Sequence, residues 1–124
     1  MKTYRKGYMA ENQLVHILYE RGWAVMRAPR SGKISIPSPD IVAIKGGRVV
    51  IIEVKSRSAG FQIRKEQLDE MREWVLRSGG EGYVALKLPY KGWRFLKLDD
   101  VAANGGNVGK KFLSEKSVDM NAII

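Results

Sequence analysis

The sequence contains no cysteine and only one histidine among its 124 residues. The lack of cysteine excludes disulfides, thiolate metal sites and cysteine nucleophiles from these residues. The single histidine, His16, falls in the middle of a predicted helix and has no second ligand at helical spacing, which favours a structural or exposed role. The chemistry of the chain is therefore expected to rest on carboxylates and amines.

Long hydrophobic runs are missing as well. No apolar segment has the length of a membrane span, and the start, Met1 to Lys6, has no apolar signal core behind it. With 44% apolar and 28% charged residues, the composition is typical of a globular protein, and the length suits one domain. We therefore expect a single domain over residues 1–124 that is cytoplasmic and has no membrane partner.

Acidic residues are scarce in the first half of the chain. The whole sequence has 22 Lys and Arg against 13 Asp and Glu, a net charge of +9. Residues 1–60 hold eleven basic side chains but only four acids: Glu11, Glu20, Asp40 and Glu53. This imbalance is expected of a protein that binds a polyanion, with nucleic acid as the leading candidate. A basic protein that is merely soluble is the alternative.

The spacing of apolar residues and glycines predicts the order α-β-β-β-α-β-β, a mixed central sheet flanked by helices in a single α/β domain. Beyond residue 100 the signal fades into a poorly defined tail over about 101–124, with a loop at 104–107 and either a short helix or an irregular segment over the last fifteen residues. The predicted elements are a helix at 8–21, a strand at 23–27, a loop at 28–39, a hairpin of 40–45 and 48–55, a helix at 64–77, and a second hairpin of 82–88 and 93–98.

Three charged residues lie in or beside the first predicted hairpin. Asp40 opens one strand, while Glu53 and Lys55, two residues apart on the next, leave the same face of that strand. The apolar run before Glu53 marks its strand as buried on both faces, where charges are costly unless a cation compensates them. Neighbouring strands are about 5 Å apart, so Asp40 and Glu53 can meet. The pattern predicts a divalent metal site.

Such a site suits phosphodiester hydrolysis, because magnesium held by carboxylates supplies hydroxide and neutralises charge in the transition state. Lys55 can orient the attacking water or stabilise the developing negative charge. Glu11, near the start of the first helix, could complete the site directly or through a metal-bound water. The alternative is a partly buried salt bridge between Glu53 and Lys55 or their neighbours.

Five short segments add a family resemblance to this pattern. They resemble, in their order, motifs of the archaeal-type Holliday junction resolvases (Hjc), a branch of the PD-(D/E)xK nuclease superfamily that is also found in viruses. The resemblance covers about residues 4–98. The segments are Arg5-Lys-Gly7 with Glu11, Val25-Met-Arg-Ala-Pro-Arg-Ser-Gly32, Pro39-Asp-Ile-Val42, Ile52-Glu-Val-Lys-Ser56 and Gly92-Trp-Arg-Phe95.

The resemblance implies a restriction-endonuclease-like fold and a homodimeric, magnesium-dependent endonuclease that cuts four-way DNA junctions by paired, symmetric nicks. Manganese is expected to substitute for magnesium. Metal binding falls to Glu11, Asp40 and Glu53, and the transition-state role to Lys55. Ser31 matches the family's functional serine, with a role in holding the backbone or a phosphate near the metal. Recruitment by other recombination or replication proteins stays open.

Five basic residues around this site are predicted to contact DNA phosphates. Such contacts would make the affinity for DNA depend more steeply on salt concentration without adding specificity for base sequence. A solvated surface charge is the alternative for each. They are Arg5, Lys6, Arg27, Arg30 and Lys33.

Met71 and Trp74 on the second predicted helix form a broad apolar surface, part of which could face a second subunit.

Two other functions remain as alternatives. A related nuclease could act on other DNA, as repair or restriction-type enzymes do, although no segment is long enough for an insertion that reads base edges. A DNA-binding module could have kept the fold and lost catalysis, but the set of Glu11, Asp40, Glu53 and Lys55 is intact.

Overall fold

The computed structural model describes residues 3–28 and 36–124, with side chains from Arg5 onward. Four α-helices and eight strands make up the described part of the chain. They are α1 (Thr3–Glu20), β1 (Ala24–Arg27), β2 (Ile41–Lys45), β3 (Arg48–Ser56), β4 (Phe61–Gln62), α2 (Lys65–Ser78), β5 (Glu81–Leu88), β6 (Gly92–Lys97), α3 (Leu98–Ala103), β7 (Asn107–Val108), α4 (Lys110–Lys116) and β8 (Val118–Asp119), followed by a 3-10 turn, Met120–Ala122.

Six strands form one sheet in the order β1-β2-β3-β5-β6-β8. β3 and β5 run parallel, and the other neighbours are antiparallel. β4 and β7 make a separate two-stranded sheet. The predicted fold class, a single α/β domain with a mixed central sheet and flanking helices, is confirmed. In the described residues, the structure contains no helix long and apolar enough to cross a bilayer.

The two faces of β3 are covered by different helices. Ile52 packs with Leu14 of α1 in one core cluster, whereas Ile51 packs with Leu68 of α2 in the other. Burial on both faces explains why the strand is apolar throughout rather than alternating. Side chains at odd positions of β3 therefore point towards α2, and this places Glu53 and Lys55 on the α2 side of the sheet.

The segment after residue 100 forms short elements that the sequence did not resolve. β8 extends the main sheet by pairing Val118 with Phe95. Arg94 fixes this return of the chain by donating to the carbonyl and hydroxyl oxygens of Ser117, at 2.9 and 3.0 Å. Two-residue strands such as β4, β7 and β8 have no periodicity to detect, which explains why they were not predicted.

α1 begins at Thr3, five residues before the predicted start at residue 8. Its first turns carry exposed basic residues, Arg5 and Lys6, rather than an apolar stripe. Hydrophobic spacing alone therefore marks only the packed part of the helix.

Gly106, which follows α3, allows the backbone there to pack closely against the backbone of Ile63. Its φ is +83°, and a Cβ there would lie 2.1 Å from the carbonyl oxygen of Ile63. We expect Gly106→Ala to lower the free energy of unfolding by about 3 kcal/mol, because it adds both left-handed strain and a backbone clash. Urea denaturation measures the change.

Gly7→Ala is the matched control, since a Cβ at this helical glycine meets no atom of the described residues within 4 Å. It should stabilise the chain by about 0.5–1 kcal/mol. Equal effects of the two substitutions would contradict the role assigned to Gly106.

Candidate active site

The start of β2 and the end of β3 bring two carboxylates together. Asp40 immediately precedes the β2–β3 ladder, in which Ile41 lies opposite Ile52, so Asp40 projects on the same face as Glu53. The Val54 backbone amide donates to Asp40 Oδ2 at 2.8 Å. This bond holds the Asp40 carboxylate against β3.

Glu53 sits in surroundings that oppose its charge. Its side chain is 7% exposed. Burial is the main cause that raises its pKa to about 8, and the neighbouring Asp40 carboxylate raises it further, while Lys55 and Gln67 act in the opposite direction. The two acids therefore resist being ionised together unless positive charge is added between them. A bound cation would supply that charge.

A glutamine from α2 joins Glu53 to Lys55. Gln67 Nε2 donates to Glu53 Oε2, and Lys55 Nζ donates to Gln67 Oε1 at 3.3 Å. An ammonium only donates, so the amide oxygen must face Lys55 and the amide nitrogen must face Glu53. The orientation of this amide is thereby fixed by its two partners.

Gln67 was not among the predicted site residues. The available signal was its position on the helix: Gln67 lies one turn before Met71, which is buried in the α2 core stripe. A polar residue on the buried side of a helix needs a partner, and here the partners are the two charged residues of β3.

Lys55 and Glu53 are not directly paired. Among the ion pairs of the described residues, none joins these two side chains within 4 Å. The salt bridge that the sequence left open as an alternative is therefore replaced by the bridge through Gln67. This arrangement leaves Lys55 half-buried, with two N–H donors beyond the one given to Gln67.

The segment before Asp40 is tied to α2. The Trp74 indole Nε1 donates to the carbonyl oxygen of Pro37 at 2.6 Å. A small cavity of about 50 Å³ lies between this segment and the helix, and Glu53, Gln67 and Glu70 are among its lining residues. The side of Glu53 that faces α2 is thus closed by protein groups.

Glu11 approaches the sheet from the other face. It lies on α1, is 2% exposed, and accepts a bond from Arg27 Nε at 3.2 Å. Arg27 pairs with Ile41 in the β1–β2 register, on the α1 side of the sheet. Within the described ranges, no three His, Cys, Asp or Glu residues lie close enough to hold a metal ion. The structure does not bring Glu11 into the group of Asp40 and Glu53, and its metal role stays a prediction.

The predicted DNA contacts divide into three groups. Arg5 and Lys6 are exposed on the first turns of α1. Arg27 is half-buried, bonds to Glu11, and has its guanidinium 4.4 Å above the Tyr8 ring, so it supports the local structure whether or not it touches DNA. Arg30, Lys33 and the predicted functional serine, Ser31, lie outside the described residues.

The donor set fits a hard divalent cation. Magnesium in proteins is usually held by one or two carboxylates and keeps several waters. Asp40 and Glu53 supply two such carboxylates, and each has one oxygen bound by a protein donor. The raised pKa of Glu53 is a second observation in favour, because a cation would relieve the repulsion that raises it.

Comparison with known proteins gives a match over nearly the whole chain. The model of the archaeal Holliday junction resolvase (Hjc) family matches residues 2–124. The crossover junction endodeoxyribonuclease Hjc of Sulfurisphaera tokodaii is 45% identical over 106 residues, which cover 82% of this chain and 73% of that protein. The family match thus extends through the tail that the sequence motifs left uncovered.

Solved structures agree with this match. The Holliday junction resolvase Hjc of Archaeoglobus fulgidus superposes with a TM-score of 0.83 and 28% identity, covering 94% of this chain and 98% of that one. A bacterial homing endonuclease shares the fold alone, with a TM-score of 0.52 and 16% identity over 82% of this chain and 70% of that one. The chain belongs to the archaeal Holliday junction resolvase family.

Proposed function

We propose that this protein is a structure-selective endonuclease that resolves four-way DNA junctions by paired, symmetric nicks. The Asp40–Glu53 pair beside Lys55 is the observation that carries the proposal, because it supplies metal ligands and an ammonium at one point of a basic protein. The similarity to relatives named crossover junction endodeoxyribonuclease supports the same activity.

Asp40 and Glu53 would hold the metal, which we propose to be Mg²⁺ with Mn²⁺ as a substitute. When bound, this ion supplies an activated water and neutralises charge on the scissile phosphate. The protein prepares the site by committing one oxygen of each acid, Asp40 Oδ2 to the Val54 amide and Glu53 Oε2 to Gln67, which leaves the other oxygens for the cation. Glu11 would act through a water or through Arg27 rather than as a direct ligand.

Lys55 is proposed to stabilise the negative charge that develops on the phosphate. Its ammonium keeps one bond to Gln67 and has two further donors for a phosphate oxygen or the attacking water. The bridge through Gln67 also keeps Lys55 from pairing with Glu53. The lysine is therefore held near the metal ligands without neutralising them.

The DNA backbone is proposed to approach past the start of α1. Lys6, Gln13, Ser56 and Lys87 are among the residues that line a depression of about 400 Å³, and none of its lining residues in the described part of the chain is acidic. Ser56 directly follows Lys55 at the end of β3. Neighbouring residues of a strand point to opposite faces, so a phosphate bound by Lys6 would lie on the α1 side of the end of β3, across the strand from Lys55.

A second copy of the chain is proposed to cover an apolar surface on the α2 side of the sheet. Met26 and Ile44 are 68% and 44% exposed on strands β1 and β2, and Ile36 is 67% exposed in the segment before Asp40. Ile36 and Trp74 also line an open depression of about 530 Å³. Two active sites related by a twofold axis would suit two symmetric nicks.

Removal of either metal-binding acid tests the proposal. Asp40→Asn and Glu53→Gln should abolish cutting of a labelled four-way junction in magnesium. Junction affinity, measured in calcium, should stay within a few-fold, because loss of an acid does not weaken phosphate attraction. Glu70→Gln is the matched control, since Glu70 lines the same small cavity as Glu53 and should retain cutting.

Three results would contradict or redirect this proposal. Either acid variant cutting at the wild-type rate would overturn the assignment of the metal ligands. Wild-type protein that cut linear duplex as well as junctions would favour a nuclease for other DNA. Binding without cutting in every divalent metal would favour the inactive module.

Gln67→Met tests the amide bridge while keeping the side-chain volume similar. We expect kcat on the junction to fall about 10- to 100-fold with KM nearly unchanged, because the ligand and the ammonium lose their fixed orientation. Single-turnover cleavage separates the two constants. Glu66→Gln, an exposed neighbour on α2, should be unaffected, and a Gln67→Met enzyme with a normal kcat would remove Gln67 from the site.

The raised pKa of Glu53 predicts how metal-free stability changes with pH. Between its ordinary pKa of 4.5 and about 8, the folded chain retains a proton that the unfolded chain has lost. The free energy of unfolding should therefore decrease as pH rises through this range. Urea denaturation with a chelator present at pH 5 and pH 8 measures the decrease, which Glu53→Gln should reduce; an equal decrease in both proteins would contradict the buried acid.

A further inference from the structure

The turn between β5 and β6 presents an aromatic ring that the fold does not use. Tyr90 is fully exposed, at 106% of its reference area. Its φ is +60°, and among the residues that the structure describes, no other residue except glycine has a positive φ. A bulky residue in this conformation is strained, and its ring gains no burial in return. Glycine would adopt this backbone conformation without strain.

This turn lies at the same edge of the sheet as the candidate active site. β3 and β5 are parallel, with Lys55 opposite Leu86 and Ser56 opposite Lys87. The turn begins after Leu88, two residues beyond the level of Lys55. At about 3.3 Å per strand residue, Tyr90 lies roughly 10–15 Å from that level, which is less than the width of a DNA duplex.

The surface next to the turn is basic. A depression of about 740 Å³ has Lys91, Arg94 and Lys110 in its lining, and the lining contains no acid among the residues that the structure describes. The Arg94 guanidinium already donates hydrogen bonds to Ser117. Lys91 and Lys110 are exposed, and neither takes part in an ion pair with another described residue. The two lysines are thus available for an anionic partner on one side of Tyr90.

We propose that the β5–β6 turn is a second contact with the junction, in which the Tyr90 ring stacks on a nucleobase exposed at the branch point. Lys91 and Lys110 bind backbone phosphates of the adjoining arm. An aromatic ring beside lysines is the combination that binds unpaired nucleotides, because every base has a face to stack on and every phosphate attracts an ammonium. This inference rests on the proposed junction-cutting function and adds how the branch point is distinguished from continuous duplex.

The stacking contact is tested by binding of a labelled four-way junction and a linear duplex, with calcium in place of magnesium. Tyr90→Ser should weaken junction binding about tenfold and leave duplex binding unchanged, whereas Tyr90→Phe should bind like wild type. Tyr19→Ser is the matched control: Tyr19 is 71% exposed near the end of α1, at the opposite edge of the sheet, and its loss should change neither affinity.

Tyr90→Gly separates binding from folding. It should keep or raise the thermal midpoint, since glycine suits the left-handed backbone, and yet lose junction affinity as Tyr90→Ser does. Lys91→Ala with Lys110→Ala should reduce the slope of log affinity against log salt by about two. Lys97→Ala, at the far end of β6, should leave the slope unchanged.

The inference is overturned if Tyr90→Ser binds the junction like wild type, or if its junction and duplex affinities fall by the same factor. A wild-type protein that bound junction and duplex equally would overturn the proposed function, and the inference with it. The Tyr90→Ser results therefore test the stacking contact alone, whereas the wild-type comparison tests junction recognition.

Discussion

Asp40 and Glu53 meet at the ends of two strands, where Glu53 is buried and Asp40 is half-buried, and the surrounding contacts hold this unfavourable arrangement. The Val54 amide fixes Asp40 and the Gln67 amide fixes Glu53, while burial and mutual repulsion raise the pKa of Glu53 to about 8. A pair of this kind costs stability without a cation, and a bound cation would offset that cost. The catalytic proposal depends on this balance.

The two faces of the sheet carry different groups of functional residues. The α2 face carries Glu53, Lys55 and Gln67, and the apolar surface proposed for a second copy lies on that same face. The α1 face carries Glu11 and Arg27, which bond to each other and hold α1 against the first strands. Both faces end at one edge of the sheet, so DNA lying along that edge could contact α1, the carboxylate pair and the β5–β6 turn together.

Much of this architecture was predictable because its signals are local and periodic. The first hairpin follows from two apolar runs around Gly46-Gly47, and α2 from Leu68 and Met71 at helical spacing. Strand alternation alone placed Glu53 and Lys55 on one face. Among the closing elements, α3, β7 and β8 were missed because each is too short for its own pattern and is held by tertiary contacts such as Arg94 to Ser117. For the last fifteen residues, where α4 lies, the sequence leaves a short helix open as an alternative.

The missed site residue shows the same limit. Gln67 became visible only through its two partners, because glutamine on a helix is ordinarily a surface residue. The most direct test of the central claim is calorimetric titration of Mn²⁺ near neutral pH in two buffers that differ in ionisation enthalpy. Because the metal-free Glu53 carboxyl holds a proton up to about pH 8, binding should release close to one proton in the wild type and none in Glu53→Gln. Binding without proton release, or with equal affinity when both Asp40 and Glu53 are replaced, would contradict this claim.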